Sequence, residues 1–118
     1  MQIKISVDGK ATLHYRLLAV EGDDREGRIA NAAIRKATAL SAEESKAAGL
    51  EELTNADGEV TGASWRRRCE AAIAFTEITL ERDHAKRLMV ILDKWPGIRQ
   101  VDHDYFAEAL YQELKAAL

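Results

Sequence analysis

Hydrophobic and polar residues alternate from the start of the chain. Ile3, Ile5 and Val7 are interleaved with Lys4 and Ser6, and Gln2 precedes them, the period of two expected of a half-buried strand. After Asp8-Gly9 the period resumes, with Leu13, Tyr15 and Leu17 set against Thr12, His14 and Arg16. The pattern predicts an N-terminal β-hairpin. A three-residue loop of Val7, Asp8 and Gly9 pairs Ile5 with Ala11 and Ile3 with Leu13, keeping one face apolar and glycine at a left-handed bulge position. A two-residue loop would mix the faces.

The period then changes. In DDREGRIANAAIRKATAL, Asp23 can cap a helix with Glu26 as its capping-box partner, and Ile29, Ala30, Ala33, Ile34, Ala37 and Leu40 fall on one helical face. Ser41 with Glu44 repeats the capping pattern, predicting a shorter helix through Leu50 and Leu53 that Gly49 weakens. TNADGEVTGA is turn chemistry and reads as an exposed loop. From Thr79 onward, Ala85, Leu88, Met89, Leu92 and Trp95 trace an amphipathic helix that Pro96-Gly97 ends. Asp102 caps a last helix, with Val101 against Phe106 as a staple and Phe106, Ala109, Leu110, Leu114 and Ala117 as the buried stripe. These two helices form an αα-hairpin, and Ile91 falls off the main face of the first.

Residues 64–80 admit two readings. As a helix, Trp65, Cys69, Ala72, Ile73 and Thr76 share a face; as a strand, Trp65, Cys69, Ala71, Ile73 and Phe75 alternate with the residues between them. A two-stranded hairpin is marginal in water, and AIAFTEITL is the segment able to add a third strand. A strand over about residues 70–79 is therefore preferred, with 64–72 open between strand and helix. The fold class is α+β: an N-terminal β-hairpin plus a third antiparallel strand, packed by three or four helices, with a C-terminal αα-hairpin, in a single domain spanning 1–118.

Composition supports a globular protein, at 47% hydrophobic and 31% charged residues. No apolar run approaches the roughly 18 residues of a membrane span, and no basic-then-apolar leader precedes the first strand, so a soluble, cytoplasmic chain is expected. A single cysteine, Cys69, excludes an internal disulfide and is expected to be a small buried thiol. Abundant alanine and an arginine excess of ten to seven over lysine lean toward a GC-rich bacterial or phage-like source.

Charge is uneven. Residues 41–63 carry one cation and six carboxylates, whereas residues 64–118 carry nine of each sign. The net charge of −3 argues mildly against general nucleic-acid binding. The run Arg66-Arg67-Arg68 beside Trp65 invites that function, but on a helix three consecutive residues fan across roughly 200°, and on a strand they point to both faces. A solvated face pairing with the acidic stretch is the preferred reading, with a carboxylate or phosphate clamp a further one.

Little else suggests chemistry. Asp102, His103 and Asp104 are consecutive at a helix start, where a cap and the helix dipole explain them better than a metal does. His84 among Glu81 and Asp83 reads as ordinary first-turn acidity, and His14 is expected to be exposed. GEVTGAS lacks the lysine of a phosphate loop, and no hydrolase elbow or dinucleotide fingerprint is present. No enzyme, cofactor or metal site is expected.

Trp95, Tyr105 and Tyr111 are read first as packing at the core or its rim, and they are also the best hint of a contact surface, since aromatic residues are enriched at interfaces. The expected function is therefore a small non-catalytic protein-binding module. It is either homodimeric, through the C-terminal helix pair or a sheet edge, or an inhibitor or adaptor offering Glu51, Glu52, Asp57 and Glu59 to a basic groove. The competing class is a nucleic-acid binder using Arg66, Arg67 and Arg68.

Overall fold

The computed structural model describes residues 1–20, 22, 24–94 and 105–118, the side chains of Ala19, Tyr105 and Phe106 excepted. The N-terminal alternation forms a strand, β1 (Gln2–Ser6), with Ile3 and Ile5 buried and Gln2 and Lys4 exposed. Its antiparallel partner is not the adjacent segment, as a hairpin would require. The partner is β4 (Phe75–Thr79), in a register that places Ile3 opposite Ile78 and Lys4 opposite Glu77. One face of this sheet is apolar and the other carries opposite charges across the strands.

The segment expected to return as the second hairpin strand is a helix, α1 (Val7–Arg16), followed by a 3₁₀ turn at Leu17–Ala19. The cause is local. The Ser6 hydroxyl accepts the Gly9 N–H at 2.9 Å, an N-cap, and Asp8 and Arg16 lie at the ends that the helix dipole favours. Gly9 does not adopt a left-handed conformation; among the described residues, the glycines that do are Gly49 and Gly58.

Helix α2 (Arg25–Ala37) is capped by Asp24, whose carboxylate accepts the Gly27 N–H at 2.7 Å. The cap expected at Asp23 falls outside the described residues. The buried side of α2 runs through Ala30, Asn31 and Ile34, so Ile29, placed on that face by spacing, is half exposed. The capping box at Ser41 and Glu44 starts α3 (Ala42–Ala48) as expected. Gly49 ends that helix in the left-handed conformation, φ 66°, rather than lying within it. The chain beyond it is strand: β2 (Leu50–Thr54) pairs antiparallel with β3 (Val60–Trp65).

A short helix, α4 (Arg68–Ile73), precedes β4. The strand preferred over 70–79 therefore holds from Phe75, and its first residues are helical. Helices α5 (Arg82–Asp93) and α6 (Tyr105–Ala117) pack against each other. The class is thus α+β, with six α-helices among the described residues rather than three or four, because α1 forms where a strand was expected and α4 spans the end of the stretch left open and the start of the preferred strand.

The main core gathers Ile3, Ile5, Leu13, Leu17, Ile34, Ile78 and Leu80 with the inner faces of α5 and α6. Ile91 belongs to this core rather than to an outer surface, and Val90 is exposed instead. On α6 the stripe is Ala107, Leu110 and Leu114, while Ala109 and Ala117 face water. A smaller cluster of Val7, Ala48 and Ala71, flanked by Leu40 and Trp65, joins α1, α3 and α4. Among the described residues no helix is long and apolar enough to cross a membrane.

Candidate partner-binding surface

No residue of the β2–β3 hairpin is buried. Its turn is built by Asn55, whose side-chain oxygen accepts the N–H groups of Asp57 at 2.9 Å and Glu59 at 3.0 Å. Gly58 supplies the positive φ of 80° that this reversal needs. The register pairs Leu50 with Trp65 and Leu53 with Gly62, and a bulge follows because Thr54 opposes Val60. Glu51, Glu52, Asp57 and Glu59 are all exposed, and Leu53 is 53% exposed. Between Lys46 and Arg66 there is no cation. The acidic residues singled out in the sequence thus share one projecting arm.

The base of the arm is held by residues of the arginine run. The Trp65 Nε1–H donates to Asp8 Oδ1 at 2.6 Å, and Arg68 Nε–H donates to the same oxygen at 3.2 Å. The Arg68 guanidinium also lies over the Trp65 ring, 5.0 Å from its centre. Arg66 reaches Glu51 at 4.0 Å, a solvent-exposed pair worth little by itself. The Arg67 backbone N–H bonds the Ala48 carbonyl at 3.0 Å, which ties the end of the arm to α3. Arg67 keeps its side chain exposed, with no ion pair among the described residues. Arg66 and Arg68 thus meet carboxylates on different elements, Glu51 on β2 and Asp8 on α1.

Trp65→Phe keeps the ring and deletes the hydrogen bond to Asp8. An unfolding cost of about 1 kcal/mol is expected, the net worth of a typical hydrogen bond, because Asp8 Oδ1 keeps the Arg68 N–H. Amide exchange should quicken over residues 50–65 and stay unchanged in β1 and α5. Equal acceleration in both regions would show that the contact does not anchor the arm.

A polar cluster lies where α1 meets α2 and α3. Lys10 Nζ bonds Glu44 Oε1 at 2.8 Å, with only 8% and 18% of the two side chains exposed. The same Glu44 oxygen accepts the Ser41 N–H, and its other oxygen is buried without a partner among the described residues. Burial alone would raise the Glu44 pKa, but the Lys10 and Ser41 hydrogen bonds and the Lys10 charge outweigh it, leaving the carboxyl below its ordinary value.

His14 is half-buried on α1, not exposed on a strand. Its Nδ1 lies 2.8 Å from the Arg35 carbonyl, which can only accept, so Nδ1 carries the proton. Burial is the main cause of its lowered pKa, with the Arg35 and Lys10 charges adding to it. Burial, then the Glu52 charge and hydrogen bond, raise the Tyr15 hydroxyl. These groups brace α1 and the inner end of β2.

Tyr111 is partly buried against the main core, Trp95 lies outside the described residues, and Tyr105 is described only as the first residue of α6. His103, Asp102 and Asp104 also fall outside them, and no group of three metal-ligating side chains occurs among the described residues. Cys69 is exposed on α4 rather than buried. Sequence reasoning missed Asp8 as an anchor and Leu53, Ile73 and Phe75 as exposed apolar residues. A local signal existed for Leu53 alone, since an Asn-Ala-Asp-Gly turn separates LEELT from VTGASW. Comparison with protein-family models, with curated proteins and with solved structures finds no match.

Proposed function

We propose that this protein is a small non-catalytic binding module whose β2–β3 arm docks on a basic surface of another protein. The observation that carries the reading is the arm itself: four exposed carboxylates, Glu51, Glu52, Asp57 and Glu59, without an intervening cation. Such a surface accelerates encounter with an opposite field and disfavours polyanions. An inhibitor or adaptor acting on a basic groove fits this chemistry. The involvement of Arg66 and Arg68 with carboxylates of the same chain favours the protein-binding reading over nucleic-acid contact. A reducing, cytoplasmic setting suits the lone, exposed Cys69.

The test compares wild type with a variant carrying Glu51→Gln, Glu52→Gln, Asp57→Asn and Glu59→Gln, both used as bait in a lysate with and without nuclease. Wild type is expected to retain a basic protein near equal stoichiometry after nuclease. The variant should bind it about tenfold or more weakly in titration at low salt. Equal binding by the two baits would sink the acidic-arm reading. Capture that disappears with nuclease would return the arginines to the centre.

A further inference from the structure

We propose that the seam between α2 and α5 binds a terminal phosphate group, held by Asn31, Arg35 and Arg87. The inference stands independently of the acidic-arm reading and uses none of its residues.

The seam is short of acceptors. Asn31 is only 7% exposed, a polar side chain on the buried side of α2. Arg87 of α5 donates its Nε–H to Asn31 Oδ1 at 3.4 Å. A guanidinium can only donate, so this contact fixes the amide with its oxygen toward Arg87 and its Nδ2 on the other side. Nδ2 is buried without a hydrogen-bond partner among the described residues. The same holds for Arg35 Nε, one helical turn further along α2. Side chains on an α-helix lean toward its N-terminus, so Arg35 reaches back over the turn that carries Asn31. Two buried donors on adjoining turns thus lack an acceptor, and such bonds are costly to leave unmade.

Charge identifies the acceptor. Neither Arg35 nor Arg87 forms an ion pair among the described residues. Arg28, a turn before Asn31 on the same helical face, forms none either. The neighbouring carboxylates serve elsewhere or stand apart. Asp24 caps the Gly27 N–H, Glu52 hydrogen-bonds Tyr15, and Asp83, a turn before Arg87, does not pair with it. A water molecule would satisfy the amide and leave two partly buried guanidinium charges without a counter-ion. A carboxylate brings two oxygens and one charge. A terminal phosphate brings three free oxygens and nearly two charges, which match an amide N–H and two guanidinium forks. Arg35 and Arg87 are each partly exposed, so the ligand enters from solvent between them and ends against the buried amide.

The probe is inorganic phosphate, titrated at constant ionic strength into isotope-labelled protein and followed by NMR. The Asn31 side-chain amide and the Nε–H signals of Arg35 and Arg87 should shift and saturate, with a Kd of about 1 mM or lower. Arg35→Gln should weaken binding about tenfold or more. Asn31→Asp sets a carboxylate beside both arginines, and should abolish phosphate binding without lowering the Tm. Acetate, with one charge, should bind at least about tenfold more weakly than phosphate. Adenosine monophosphate separates the sources: tighter binding than inorganic phosphate supports a phosphate ester as the ligand, and equal or weaker binding supports the free ion. Shifts that grow without saturating would overturn the proposal, as would equal affinity for acetate or binding unchanged by Arg35→Gln. A short single-stranded oligonucleotide bound more tightly than either phosphate would overturn it too, by making this a nucleic-acid surface.

Discussion

Leu88→Ala is expected to lower the unfolding free energy by about 2–5 kcal/mol, the span for removing a buried leucine from a core that relaxes only partly. Leu88 is fully buried in the main cluster, on the face of α5 that also carries Ala85, Ile91 and Leu92. For a domain of this size that is a large share of a total stability of about 5–15 kcal/mol. Val90, two residues along the same helix, is 45% exposed, and Val90→Ala should stay within about 0.5 kcal/mol. Urea denaturation of both variants measures the contrast. Similar losses from the two would mean that α5 presents a different face to the core.

Breaking the Lys10–Glu44 pair should cost nearly as much. Glu44→Gln keeps the shape of the side chain and leaves Lys10, only 8% exposed, with its charge unpaired. A loss of about 3 kcal/mol is expected, near the lower end for a buried pair because Glu44 keeps some contact with water. Replacing both residues with methionine should recover most of that loss, since the desolvated charge is then gone. If Glu44→Gln costs less than about 1 kcal/mol, the pair is effectively a surface one.

The pair also sets a pH dependence. The folded-state pKa of Glu44 lies below its ordinary value of 4.5, so its stabilisation is fully present above that value and is lost as pH falls through the folded pKa. Stability measured between neutral pH and pH 3 should therefore fall more steeply in wild type than in Glu44→Gln. His14 acts in the same direction from a higher starting point. Its folded pKa lies below 6.5, so protons favour the unfolded chain once pH drops beneath that value.

How far these features could be read from the chain depends on how each residue meets water. Ile3 and Ile5 were legible because β1 has one wet and one dry face. Leu13 and Leu17 were misread because a spacing of four is shared by strands and helices, and only Tyr15 between them distinguishes the two. The usual correction, a polar helical face, is missing because Lys10 and Thr12 are themselves buried.

Strand β2 was hidden for the opposite reason. Glu51 through Thr54 are all exposed, and a strand wet on both faces leaves no alternation to find. Helix α4, of six residues, is too short to show a period. The acidic character of the arm was plain in the composition, but its gathering on a hairpin anchored through Asp8 and Trp65, 57 residues apart, leaves no local trace. Three identical letters, Arg66, Arg67 and Arg68, serve three different ends because the chain turns from strand to helix within them.

The pairing of β1 with β4 also sets an order of events in time. The Met1 amine bonds the Leu80 carbonyl across 79 residues of chain, and the Leu80 N–H returns to the Met1 carbonyl. The β2–β3 arm, by contrast, closes through a turn of a few residues and can form as soon as it is made. Translation at about 5–20 residues per second separates the two ends of the β1–β4 sheet by roughly 4–16 seconds. For that interval the first strand of the core exists without the strand that completes it.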